Sequence, residues 1–140
     1  MIEPQTTHRL SCRFTISSDT LTCSDIEADL PWQVTDSVER GTPTGQAGFP
    51  THPYSIVTFD LGIPPADRAD VLLERAGAAL LSGREQLRAR FHGRGLTLWI
   101  YYFYDADGAI NFSPDAMRVF ADLDVHCIFH LNPRPEAQNT

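Results

Sequence analysis

The chain has 140 residues, of which 42% are hydrophobic and 21% charged, a composition typical of one globular domain with its own core. It carries 18 acidic residues against 11 basic ones, all of them arginine, for a formal net charge of −7. Because affinity for nucleic acid and for anionic membranes grows with the cations that a protein offers, this balance argues against both as partners.

The cysteines and the start of the chain predict a cytoplasmic protein. No cationic leader precedes an apolar run, and no apolar stretch approaches the length of a membrane span. Cys12, Cys23 and Cys127 are an odd number without C-x-x-C spacing, which argues against a disulfide framework and a zinc knuckle. We expect neither a metal nor a cofactor.

A strand and a short helix are predicted first. Apolar and polar residues alternate from Leu10 to Ile16, as in a strand with one buried face. Thr22 is a candidate helix cap, and the helix is expected to run to Leu30, where Pro31 ends it.

Two further strands are predicted around a loop. Short apolar patterns at 32–40 and 54–61 favour strands. The segment 41–53 between them contains three glycines and three prolines, so we expect a long loop there without a helix or a central strand.

The strongest helix and the strongest strand follow. An apolar stripe predicts a helix over 66–81, ended by Ser82 and Gly83, and a shorter helix over 84–91. The segment 96–104 is apolar or aromatic on both faces, which favours a strand inside the sheet.

The last predicted elements are a turn, a helix and a strand. Residues 105–108 are typical of a turn. Ser113 followed by Pro114 is a typical helix start, and alternation over 125–131 predicts the final strand.

These elements give the order β-α-β-β-α-β-α-β. The order predicts an α+β fold, a ferredoxin-like split β-α-β plait with an added helix and strand and with its helices packed on one sheet. The final strand is expected to add parallel to its neighbour. We expect a single domain at 9–132 between an N-terminal tail at 1–8 and a C-terminal tail at 133–140.

The aromatic strand carries the candidate pocket. Trp99, Tyr101 and Phe103 could form a stacking platform on an open sheet, but no basic residue lies between them, so we expect a helix to bury them. A pocket formed by Trp99, Tyr101 and His126, together with Arg40, is the candidate ligand site.

The sequence gives little support for a metal site. His126 and His130 would lie about 13 Å apart on one strand, too far to share an ion. Asp105 and Asp107 fit a turn better than a calcium loop.

The cysteines give no catalytic assignment. Cys12 and Cys127 fall on predicted buried faces. Cys23, early in a helix, has the best position for a lowered thiol pKa, although Asp25 and Glu27 oppose ionisation. We assign no catalytic residue.

Charge is distributed unevenly along the chain. Residues 19–39 carry six acids and no base, and residues 105–124 carry five acids and one arginine. The basic cluster is separate in sequence and consists of Arg84, Arg88, Arg90 and Arg94. It is either a solvated helix end or a contact for an anion or an acidic partner.

The chain resembles the small bacterial family catalogued as domain of unknown function 4279. The residues that carry the likeness are Phe14-Thr15-Ile16, Leu21-Thr22, Ile26, Leu30-Pro31, Arg40-Gly41, Leu72-Leu73, Ser113-Pro114-Asp115-Ala116-Met117 and Leu123-Asp124-Val125. The resemblance implies a fold rather than a reaction. Similar members are small stand-alone bacterial proteins, some of which look like immunity proteins of toxin systems.

Two functions therefore stay open. The first is a non-enzymatic protein-binding module, a bacterial immunity protein that neutralises a toxin with a basic surface by direct contact through Trp32, Asp36, Glu39, Arg40 and the 41–53 loop. The alternative is a regulatory domain that binds a small molecule, or a small enzyme of unknown reaction. The protein is expected to be a monomer or a homodimer.

Overall fold

A computed structural model of the chain describes residues 10–91, 95–104 and 112–133. Within these residues the strands are β1 (Leu10–Ser18), β2 (Gln33–Val38), β3 (Pro43–Gln46), β4 (Phe49–Thr51), β5 (Ser55–Asp60), β6 (Leu96–Tyr104) and β7 (His126–Pro133). The helices are α1 (Cys23–Glu27), α2 (Ala69–Leu81), α3 (Arg84–Phe91) and α4 (Pro114–Asp122). The predicted α+β class is confirmed.

Five strands form one mixed sheet in the order β2-β5-β1-β6-β7. The pairs β1/β5, β1/β6 and β2/β5 are antiparallel, and β7 lies parallel to β6 after α4. The expected parallel addition of the last strand is therefore confirmed, and β6 lies inside the sheet as predicted. The order of the predicted ferredoxin-like plait is not confirmed, since the sheet contains five strands and the hairpin described next lies outside it.

The predicted loop at 41–53 contains the antiparallel hairpin β3/β4, so the expectation of a loop without strands was wrong. Gly48 in its two-residue turn has φ +91, a left-handed conformation that glycine adopts without strain. The base of the hairpin is closed because the amide of His52 donates to the carbonyl of Thr42 at 2.9 Å. Pro43 and Pro50 fit because the hairpin is a separate two-stranded sheet, which proline tolerates better than a central strand.

All four helices contribute to one core on one face of the sheet. Side chains alternate between the faces of a strand, and the buried members of β1, β5 and β6 share the same face. They join a single hydrophobic cluster with buried helical residues, among them Ile26, Leu72, Leu80, Phe91 and Phe120. Trp99 and Tyr101 are partly exposed and line a cavity whose other described lining residues all belong to strands, so the predicted burial of these aromatics beneath a helix is wrong. The side chain of Phe103 lies outside the described residues.

Local signals set the helix starts. Thr22 and Asp25 form a reciprocal capping box at α1, and the hydroxyl of Ser113 accepts from the amide of Ala116 at α4. The helix α1 ends at Glu27, earlier than predicted, because Ala28 is extended. Likewise α2 starts three residues later than predicted, since Ala66 forms an isolated bridge with Leu10.

The chain ends differ from the predicted bounds at one position. β7 extends to Pro133, which was assigned to the C-terminal tail. The predicted tail at 1–8, the rest of the C-terminal tail and the predicted turn at 105–108 lie outside the described residues.

Candidate functional site

The face of the sheet opposite the helices carries a shallow cavity of about 320 Å³. The described residues that line it all belong to strands: Arg13, Thr15, Ser17, Ile56, Thr58, Thr97, Trp99, Tyr101 and His130. We call these residues the open face. They come from four strands, so the sheet positions them as one rigid surface.

Trp99 is attached to the neighbouring strand β1 by a side-chain hydrogen bond. It lies opposite Arg13 in the β1/β6 register, and its indole Nε1 donates to the hydroxyl of Thr15 at 2.9 Å. This bond reaches across the strand pair and satisfies the one polar group of the indole. The ring is therefore fixed on the open face rather than free to rotate.

Tyr101 is the centre of a row of three side chains. The ring of His130 lies 5.8 Å from its ring, and the guanidinium carbon of Arg13 lies 5.8 Å from its centroid. Arg13 is exposed, at the distance of a cation–π contact. The open face thus offers aromatic surface, one cation and several hydroxyl groups.

Exposed carboxylates line two cavities beside the open face. Asp36 and Asp60 line an adjoining cavity that also includes Arg13, and Asp19 lines another one beside Ser17. The Asp60 carboxylate accepts from the amide of Gly62 at 2.8 Å, which fixes its orientation. We call Asp19, Asp36 and Asp60 the acidic rim.

The predicted pocket residues are brought together only in part. Trp99 and Tyr101 both line the open-face cavity, whereas His126 is not among the lining residues. In the β6/β7 register His130 lies opposite Tyr101, and His126 lies opposite Thr97. Arg40 does not line the cavity either. Its guanidinium donates to the carbonyl of Asp19, the residue that directly follows β1.

Trp32, predicted as a partner contact, is a core residue instead. It is 8% exposed, its ring packs against those of Phe14 and Phe59, and its Nε1 donates to the carbonyl of Ala79 at 3.1 Å. The predicted contact surface therefore keeps only Asp36, Glu39, Arg40 and the 41–53 segment.

Glu39 is exposed but engaged within the protein. Its Oε2 accepts from the amide of Cys23 at 3.0 Å and from the hydroxyl of Ser55 at 2.6 Å. The Ser55 hydrogen bond, followed by the one from Cys23, lowers the pKa of Glu39. This carboxylate joins β2, α1 and β5.

The three cysteines are weak nucleophiles in this fold. Burial raises the pKa of Cys12 to about 12 and that of Cys127 to about 11. Burial and then the charge of Glu39 raise the pKa of Cys23 as well, so the lowered value considered for this helix start is wrong. Its thiol donates to the carbonyl of Val38 at 3.3 Å.

The arginine cluster is not separate from the acidic segments in space. Arg84 and Arg88 each lie 3.6 Å from the carboxylate of Asp122, and Arg90 donates to the backbone carbonyls of Asp25 and Ala28. The cluster therefore partly offsets both acidic segments, while Arg94 lies outside the described residues.

The described ranges contain neither a metal-ligating cluster nor a helix that could span a membrane. No group of three or more potential metal-ligating side chains occurs in them, and the candidate Asp105 and Asp107 fall outside them. None of the described helices has the length and apolar character needed to cross a membrane.

Comparisons with protein-family models, with curated proteins and with solved structures give no match to this chain.

Arg13, Thr15 and His130 are among the open-face residues that the sequence analysis did not assign to the pocket. The alternation along β1 already put Arg13 and Thr15 on one polar face. What the sequence does not contain is the strand register, which sets Arg13 beside Trp99 and selects His130 over His126.

Proposed function

We propose that the protein is a non-enzymatic binding module whose partner contacts the open face. The observation that carries this proposal is the pair Trp99 and Tyr101, half-buried aromatic side chains on a sheet face to which no described helix is packed. Tryptophan and tyrosine dominate the binding energy of protein interfaces because they bury large areas and lose little side-chain freedom. The raised thiol pKa values favour binding over nucleophilic catalysis.

The partner class that fits best is a protein with a basic surface. An aromatic centre inside a charged rim is the usual arrangement of an interface, and the acidic rim offers three carboxylates to cations of a partner. The net charge of −7 would also accelerate the encounter with a basic protein. Within this class we propose a cytoplasmic immunity protein that neutralises a toxin by direct contact.

The family and plait assignments belong to the same proposal. The strands β2, β5, β1 and β6 are adjacent and antiparallel in that order, which supports a relationship to the ferredoxin-like plait. Membership of the domain of unknown function 4279 family is proposed on the sequence resemblance alone.

The test is complex formation with the toxin encoded beside this gene. Size-exclusion chromatography of the mixture should give a stable complex, and Trp99→Ala or Tyr101→Ala should weaken it about 30-fold or more, as expected for a central interface residue. Leu81→Ala is the matched control, since this side chain is 45% exposed on α2, away from the open face. Absence of a complex, or equal losses in all three variants, would contradict the proposal.

A small-molecule regulatory domain is the second candidate. It is favoured by the row of Arg13, Tyr101 and His130, which could hold an anionic group beside a planar ring. The cavity volume of about 320 Å³ is near the lower limit for ligand pockets. A thermal-shift screen with nucleotides, amino acids and metal salts tests it, because a ligand of the native state raises the melting temperature, and Arg13→Gln should abolish the shift.

A further inference from the structure

β7 forms one edge of the five-stranded sheet, and no strand of the described chain pairs with its outer side. Its pairing with β6 runs through eight successive residue pairs, from His126 opposite Thr97 to Pro133 opposite Tyr104, without a register shift. A regular edge of this length presents a row of backbone donors and acceptors that another strand can pair with.

The opposite edge is protected in the way that natural sheets protect an edge. β2 is interrupted by a register shift between Val34 and Asp36, and it carries an exposed carboxylate at Asp36. Bulges and charges of this kind discourage pairing with another chain. β7, with the sequence HCIFHLNP, has neither a register shift nor an acidic, lysine or arginine side chain.

Exposed apolar side chains concentrate at the same edge. Among the described residues five large hydrophobic side chains are exposed, and three of them belong to this edge: Phe112 at 55%, Ile128 at 40% and Leu131 at 51%. The Phe112 ring packs edge-on against that of Phe129 at 5.5 Å, which attaches it to β7. Ile128 and Leu131 are three residues apart, so their side chains lie on opposite faces of the strand and both faces carry exposed apolar surface.

We infer that β7 pairs in antiparallel fashion with β7 of a second copy of this chain, giving a two-fold symmetric homodimer. Antiparallel pairing of identical strands is self-complementary, as a two-fold axis requires. Two copies with a net charge of −7 repel each other. Contact through β7, which carries no acidic residue, brings few like charges together.

The inference is independent of the proposed function. A basic partner would be drawn to the acidic rim, where Asp36 and Asp60 belong to β2 and β5 at the far side of the sheet. A second copy at β7 would leave that side free and would join two open faces into one continuous surface.

Sedimentation velocity of the purified protein alone tests the inference. The unmodified protein should sediment with twice the 15.6 kDa mass of one chain. Leu131→Lys and Ile128→Lys should each return the mass to 15.6 kDa, because each places two like charges near the two-fold axis. Leu81→Lys is the control: it adds the same charge at a side chain of similar exposure on α2 and should leave the dimer intact.

Circular dichroism of each variant verifies that a monomer is folded. Hydrogen exchange should show slower exchange of β7 amides in the unmodified protein than in Ile128→Lys. An unmodified protein that stays monomeric at every concentration overturns the inference, as does a dimer that survives both β7 variants or that Leu81→Lys dissociates. Because no partner is added, this failure is distinct from failure of the proposed open-face contact.

Discussion

Gly83 lies so close to the indole of Trp32 that there is no room for a side chain. A Cβ atom at this position would lie 2.5 Å from Cη2 and 2.9 Å from Cζ2 of Trp32. The indole cannot easily move away, because it is hydrogen-bonded to the carbonyl of Ala79 and packed against Phe14 and Phe59. We therefore predict that Gly83→Ala lowers the free energy of unfolding by about 1–3 kcal/mol, measured by urea denaturation.

Gly77→Ala is the matched control and should have the opposite sign. Gly77 lies inside α2, and a Cβ there would meet Ala116 and Val119 at 3.7–3.8 Å, an ordinary contact. Alanine is the better helix former, so we expect a gain of about 0.5–1 kcal/mol. If both variants are destabilised equally, the described packing of Trp32 is wrong.

The thiols provide a second prediction at the residue scale. Thiolate is the reactive form, and the raised pKa values leave little of it near neutral pH. Alkylation by iodoacetamide should therefore be slower in the native protein than in urea, by about a hundredfold at Cys127 and by more at Cys12, measured by mass spectrometry. Native and denatured rates that agree would contradict the burial of these side chains.

At the scale of elements, Glu39 connects the end of β2 to the starts of α1 and β5. Because its pKa is lowered in the folded state, the stability that depends on this carboxylate is present above the ordinary value of 4.5. That stability is lost as the pH falls through the lowered value. We predict that Glu39→Gln reduces the difference in the free energy of unfolding between neutral pH and pH values below 4.5.

Glu27→Gln removes one exposed acid from α1, the helix whose start Glu39 contacts, and as the control it should keep most of the acid sensitivity of the unmodified protein. Urea titrations at both pH values measure the effect. If Glu27→Gln reduced the pH dependence of the free energy of unfolding as much as Glu39→Gln does, the specific role of the Glu39 hydrogen bonds would be contradicted.

Some elements could be predicted from the sequence and others could not. The caps at Thr22 and Ser113 were predictable because a capping side chain and its amide are close in sequence. The hairpin in 41–53 was missed because glycine and proline also occur in tight turns and at strand edges. Trp99 and Tyr101 were expected beneath a helix because no basic residue lies between them in the sequence, whereas in the fold Arg13 reaches them from the neighbouring strand β1.

At the scale of the whole molecule, all described helices pack on one face of the sheet, which leaves the other face open to the proposed partner. The acidic sequence segments alone did not locate this surface, because arginines of α3 contact both α1 and α4. What distinguishes the open face is the set of strand registers, which collects side chains distant in sequence into one surface.

The accessibility of the open face can be measured directly with neighbouring cysteine substitutions on β5. Thr58 lines the open-face cavity, whereas Val57 is 0% exposed and faces the helices. The thiol introduced by Thr58→Cys should react rapidly with a thiol reagent in the native protein, and that introduced by Val57→Cys should react only after unfolding. Protection of both thiols would mean that another part of the chain covers this face, and it would contradict the account.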